Sequence, residues 1–154
     1  MGNLTKNFSL EEFYVSATYP KIAKDMARTP SDKIKAFYLC QTILEPIRGF
    51  TAKPITINSG KRDKALNEAV GGVESSAHRW IKYSIGVDFK IVGASKEEYI
   101  AVYEFAKDSL QFSIGEMILY FLKNGDIKHF HVTMADGIDQ GQFFGNQDGH
   151  TFLL

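Results

Sequence analysis

The chain has 154 residues, with 18 Lys+Arg balanced by 18 Asp+Glu and 44% hydrophobic residues. That length predicts one domain able to bury a sizeable core, and the composition excludes a disordered chain. Zero net charge excludes a nucleic-acid binder that works through bulk positive charge. No apolar run reaches the ~18 residues of a membrane span, and Met1-Gly2-Asn3-Leu4-Thr5-Lys6 lacks the apolar stretch of a signal peptide. Cys40 is the only cysteine, so an intrachain disulfide and a multi-cysteine metal site are both excluded. Within Phe37-Tyr38-Leu39-Cys40 it reads as a buried, inert thiol.

In chain order, Ser9-Leu10-Glu11-Glu12 is a capping box opening a short helix, with Phe8 and Phe13 placed to staple it. Pro30 suits the first turn of a second helix capped by Thr29. Ile34, Phe37, Tyr38, Cys40, Ile43, Leu44 and Ile47 form its apolar stripe, and Pro46 should bend or end it. Pro54 to Asn58 reads as a strand. Lys64 to Val70 makes two helical turns stopped by Gly71-Gly72, and Ile85 to Val92 is the next strand. Ser95-Lys96-Glu97-Glu98 is a second capping box, starting a helix that runs to about Leu110.

Glu116 to Lys123 and Asp126 to Met134 flank Asn124-Gly125, the pattern of a β-hairpin with a two-residue type I′ turn. The tail, residues 135–154, is rich in Gly, Asp and Gln and reads as a loop-rich extension docked by Phe143, Phe144 and Phe152. Helices early, strands late and no βαβ alternation predict an α+β domain. Its sheet is expected to be small, mixed or antiparallel, with a C-terminal hairpin and helices packed on one side.

Candidate chemistry centres on the histidines. In Lys128-His129-Phe130-His131-Val132, strand alternation puts His129 and His131 on one face and Phe130 and Val132 on the other. Registering the hairpin on Asn124-Gly125 pairs Lys123 with Asp126, His129 with Tyr120 and His131 with Ile118. Glu116, opposite Thr133, then becomes the diagonal neighbour of His131 on the same face. Taken singly, these histidines, His78 and Asp88 read more readily as hydrogen-bonded structure than as metal ligands, and Arg62 as a surface ion-pair partner of a neighbour such as Asp63.

Several segments together resemble the zinc D-alanyl-D-alanine carboxypeptidase and peptidoglycan endopeptidase family, which includes phage endolysins. They are Leu4-Thr5-Lys6-Asn7-Phe8-Ser9-Leu10-Glu11-Glu12-Phe13, Leu44-Glu45-Pro46-Ile47-Arg48, and Ile57-Asn58-Ser59-Gly60-Lys61-Arg62 with Ala65-Leu66-Asn67 and Val70-Gly71-Gly72. Ser76-Ala77-His78, Gly86-Val87-Asp88-Phe89 and His131-Val132-Thr133 complete the series in order. The resemblance implies a zinc peptidase-like domain over residues 1–134, with one Zn2+ held by His78, Asp88 and His131. It implies that Arg62 contacts substrate and stabilises developing negative charge, and that Ser76 helps to place the substrate.

The resemblance also implies a peptidoglycan stem peptide as partner and a water activated by the metal as nucleophile. A monomer is expected, made in the cytoplasm and acting at the cell wall or periplasm after release or as part of a phage particle. The chain departs from the family pattern at two places. Nine residues separate His78 from Asp88, a longer loop than usual, in which Trp80 and Tyr83 are expected to wall the substrate cleft. Where the family carries its catalytic acid, three residues before the last ligand, stands Lys128. Glu116 is the best substitute base, ahead of His129, which is also placed to bind substrate, and of Asp126. The competing expectation is a zinc-binding or wall-binding module that keeps the fold without hydrolysis.

Overall fold

The computed structural model describes residues 2–82, 84–137 and 139–154. A 3-10 turn, Leu10–Phe13, leads to helix α1 (Pro20–Asp25) and helix α2 (Pro30–Leu39). Thr29 caps α2 as expected: its hydroxyl accepts the Asp32 N–H, and the Asp32 carboxylate accepts the Thr29 N–H in return. Pro46 neither ends nor interrupts the helical run. A π-helical turn over Cys40–Leu44 widens the backbone just before it, and helix α3 (Glu45–Thr51) continues beyond. Such a turn relieves the clash a proline ring makes with the preceding turn's carbonyl.

The buried apolar residues of this run are Ala36, Leu39, Cys40, Ile43, Leu44 and Ile47, an i, i+3, i+4 series. Ile34, Phe37 and Tyr38, expected in the stripe, are instead exposed. Burial raises the Cys40 thiol above its ordinary range, which fits an inert core residue.

Strand β1 (Ile55–Ser59) is followed by helix α4 (Lys64–Ala69), strand β2 (Gly86–Ile91) and helix α5 (Lys96–Ser109). Strands β3 (Ile114–Phe121) and β4 (Ile127–Met134) form the expected hairpin. The sheet order is β1-β2-β4-β3-β5-β6, mixed and open, so the fold is α+β. Helices α2, α3 and α5 cover one face, where Val87, Phe89, Phe130, Val132, Met117 and Leu119 are fully buried. Among the described residues no helix is long and apolar enough to cross a membrane.

The hairpin turn differs from expectation in a way that leaves the register intact. Gly125 N–H bonds to the Leu122 carbonyl, Leu122 N–H bonds to the Asp126 carbonyl, and of the turn residues only Gly125 has positive φ, 87°. This is a three-residue loop with glycine in the left-handed position, not a type I′ turn, and Leu122 rather than Lys123 faces Asp126. The offset is undone at once. Phe121 pairs with Ile127 but Tyr120 with His129, so Lys128 is the extra residue of a bulge. Beyond it Ile118 faces His131, as alternation requires.

The tail is not loops alone. Strand β5 (Gln142–Gln147) runs parallel to β3, and β6 (His150–Phe152) closes a second hairpin against it. The two-residue turn with both φ values positive lies here, at Asp148 (50°) and Gly149 (81°). Phe143 is buried against Tyr103, while Phe152 keeps 38% exposure beside Phe121.

Candidate metal centre and active site

The opposite face of β2 and β4 carries the polar cluster. Asp88 and His131 are cross-strand partners, and alternation turns both away from the buried Val87, Phe89, Phe130 and Val132. The His131 Nδ1 lies 2.7 Å from Asp88 Oδ1. His78 arrives from outside the sheet, on a 3-10 turn over Ala77–Arg79 that Ser76 caps by accepting the His78 N–H. Its Nε2 lies 3.3 Å from the same Asp88 oxygen. The turn and the sheet approach closely because residue 86 is glycine. A Cβ there would sit 2.8 Å from Ala77 Cβ and 3.4 Å from His131 Cε1.

The His78 ring is fixed by its other nitrogen. Nδ1 donates to the Gly60 carbonyl at 2.8 Å, which leaves Nε2 facing Asp88. Burial by itself would raise the Asp88 carboxyl, but hydrogen bonds and charge from His131 and His78 prevail and hold it well below the usual carboxylate range. It is therefore an anion throughout the neutral range. One donor atom from each of His78, Asp88 and His131 lies within 4.8 Å of the others. Two imidazoles and a carboxylate in so compact and largely buried a set fit an ion that binds N and O at about 2.0–2.2 Å and keeps a position open.

His129, on the same strand face, extends the cluster without joining the compact set. Its Nε2 lies 3.8 Å from Asp88 Oδ2, and its ring rests 5.1 Å from that of Tyr120. Burial, only partly opposed by the charge of Asp88, lowers His129 to a pKa of about 4. Arg62 lies close enough to feel the Asp88 charge, and its guanidinium reaches Ser59 Oγ at 3.4 Å. Asp63 instead caps α4 by accepting the Leu66 N–H.

Beside the cluster is a cavity of 300 Å³ lined by His131, Glu116, Ser76, Thr133, Asp136 and Asp139, among others. Glu116 thus shares a wall with His131. Its backbone N–H is held by the Thr133 hydroxyl where β3 carries an extra residue opposite β4. Lys128 is exposed at its bulge, and Asp126 is engaged with Asn124 in the hairpin loop.

Trp80 requires a correction. It is 3% exposed, packs 5.8 Å from the Phe13 ring and donates its indole N–H to the Gly86 carbonyl. It therefore anchors the long loop between His78 and Asp88 in the core rather than walling a cleft. A positive φ of 53° at Trp80 turns the chain inward for that purpose. Tyr83, expected beside it, lies outside the described residues.

The sequence reading missed the Gly60 carbonyl, a backbone group that no side-chain pattern announces. It also missed Asp136 and Asp139, for which the carboxylates just beyond His131-Val132-Thr133 were the available signal. The family described as peptidase M15 matches residues 6–117, well over half the chain, including His78, Asp88 and Glu116. His131 lies beyond the matched stretch and joins the site through β2–β4 pairing. No curated protein and no solved structure matches the chain. The chain belongs to the peptidase M15 family.

Proposed function

We propose that the protein is a zinc-dependent peptidase that cuts a peptide bond in the stem peptide of bacterial peptidoglycan. The observation that carries this is the compact, largely buried His78–Asp88–His131 cluster, whose His131 lines a cavity that Glu116 also lines. Zinc, when bound by those three residues, supplies a Lewis acid for the scissile carbonyl and makes water a nucleophile near neutral pH. Glu116 takes the proton of the attacking water and returns it to the leaving amine. Arg62 stabilises the negative charge that develops on the carbonyl oxygen. His129, neutral at physiological pH, is left to hydrogen-bond the peptide beside Asp88. Ser76 is already engaged in capping the turn of His78, so its part in holding substrate is secondary. The site of action is the cell wall, reached after release or as part of a phage particle.

The exposed Lys128, standing where the resembling family carries its acid, favours a second reading, a zinc-binding module without hydrolysis. Fragment release from purified peptidoglycan, measured with zinc content, separates the two. The proposal expects about one zinc per chain together with released peptides. Glu116→Gln is expected to lower the rate by about 10²–10⁴-fold at unchanged zinc content. Zinc without peptide release favours the second reading, no zinc removes both, and full activity in Glu116→Gln removes the assigned base.

A further inference from the structure

His78 lies on no strand, and a short strip of chain, residues 59–62, holds its ring nitrogen Nδ1 and its backbone. Gly60 accepts its ring N–H at 2.8 Å, Ser59 Oγ lies 3.4 Å from the same nitrogen, and the Arg62 N–H bonds to the His78 carbonyl. The same strip aims Arg62 at the site. Whatever fixes residues 59–62 therefore fixes both the imidazole and the guanidinium.

Only the first residue of the strip lies in β1, where Ser59 pairs with Asp88. Past it, Lys61 provides the anchor. Its backbone N–H bonds to the Phe13 carbonyl at 2.9 Å, and its ammonium reaches both oxygens of Asp32 at 2.8 Å. Gly60 fits because it has no side chain: a Cβ would lie 2.2 Å from the Phe13 carbonyl oxygen. The Asp32 side chain is 4% exposed and that of Lys61 15%, so this is a largely buried ion pair. The Tyr14 hydroxyl donates to Asp32 at 2.9 Å, and the carboxylate also caps α2 through the Thr29 N–H.

One carboxylate thus ties together three segments: residues 13–14, the start of α2 and the strip beneath His78. A buried ion pair adds little net stability over well-packed apolar residues, because desolvation offsets its attraction. Its effect here is directional. With Lys61 drawn to Asp32, the neighbouring cation Arg62 is left to face Asp88, and only one positive side chain of the pair enters the site.

We infer that Lys61, Asp32 and Tyr14 form a positioning clamp that presents the Gly60 carbonyl to His78, holds Nε2 toward Asp88, and so sets the metal affinity of the site. The inference rests on the zinc reading in its last clause only, since the ring orientation exists without metal.

The test uses the full chain and two readouts. The first is zinc affinity, by competition with a chromophoric chelator, for the wild type, Lys61→Met, Asp32→Asn and Tyr14→Phe. The second is solvent exchange of the His78 Nδ1 proton, by NMR on metal-free protein. Lys61→Met is expected to weaken zinc binding by about 10-fold or more, the range for groups that orient a metal-bound histidine. It should also accelerate exchange of the Nδ1 proton. Tyr14→Phe, which removes one hydrogen bond and is expected to fold, should move both in the same direction by less. Lys53→Met, which breaks the partly exposed Lys53–Glu98 pair away from the site, should move neither.

Unchanged affinity and exchange in folded Lys61→Met overturn the clamp. Should that variant not fold, unchanged readouts in Tyr14→Phe overturn it instead. A wild type that binds no zinc, with exchange still accelerated in the variants, removes the metal reading and leaves the clamp standing.

Discussion

The two faces of β2, β4 and β3 follow one alternation and are stabilised in opposite ways. On the covered face, Val87, Phe89, Phe130, Val132, Met117 and Leu119 have no exposure, and removing that carbon from water contributes about 25 cal/mol per Å². One residue out of step, on the other face, are Asp88, His129, His131, Ile118 and Tyr120. There burial works against the charge, and the Asp88 carboxylate persists because two imidazoles and their hydrogen bonds outweigh desolvation. The contrast shows how the sheet tolerates an electrostatically costly cluster, since the apolar half of the same strands holds the backbone in place.

The largest expected effect tests whether the faces separate. Asp88→Asn should abolish hydrolysis and weaken zinc binding by more than about 100-fold, beyond what loss of an orienting group alone does. Circular dichroism and chelator competition should find a folded chain that has lost its metal. Next is Leu119→Ala on the covered face, expected to cost about 3 kcal/mol in a denaturant melt. The folded fraction should keep wild-type zinc affinity. A comparable stability loss in both variants would mean that the two faces are not separable.

Asp32→Asn should cost about 2 kcal/mol at neutral pH, as a charged hydrogen-bond acceptor is lost. The pH dependence has a definite sign. Burial alone would raise Asp32, but Lys61 and Tyr14 hold it below the ordinary carboxylate value, so its stabilisation is present above that value and disappears on acidification. The gap between wild type and Asp32→Asn, followed by urea melts, should therefore close as pH falls below about 4. The smallest effect contrasts the two turns. Asp148→Ala should cost about 1 kcal/mol, because residue 148 has φ of 50°. Asn124→Ala should cost less, about 0.5 kcal/mol in the same urea melts, since residue 124 is not in that region and only its exposed hydrogen bonds to Asp126 are lost.

Much of the site-bearing hairpin was legible because alternation is strict. His129 and His131 share a face whatever the turn does, and the bulge at Lys128 restores the register that sets them opposite Tyr120 and Ile118. Capping residues were equally legible, since Thr29 and Ser95 act on groups three residues away. The first half of the helix stripe was misplaced because Ile34, Phe37 and Tyr38 are as apolar as the buried set, and only a surface to pack against distinguishes them. Strand β5 was hidden by its Gly, Asn and Gln content, which marks edges and turns more readily than core, and β6 by its three-residue length. Trp80 was misread because a tryptophan between two polar site residues carries no local sign of the core it fills.

By itself the sequence determined what depends on near neighbours: helix starts, the alternation that sets His131 apart from Val132, and the ordered motifs that carry the family resemblance. Tertiary structure decided what depends on distant partners. It brought His78, which lies on no strand, to Asp88, gave its ring a backbone carbonyl at Gly60, buried Lys61 against Asp32, and drew the tail into the sheet. The physical reason is that backbone carbonyls and buried charges have partners chosen by folding, and sequence spacing records neither the distance nor the direction between them.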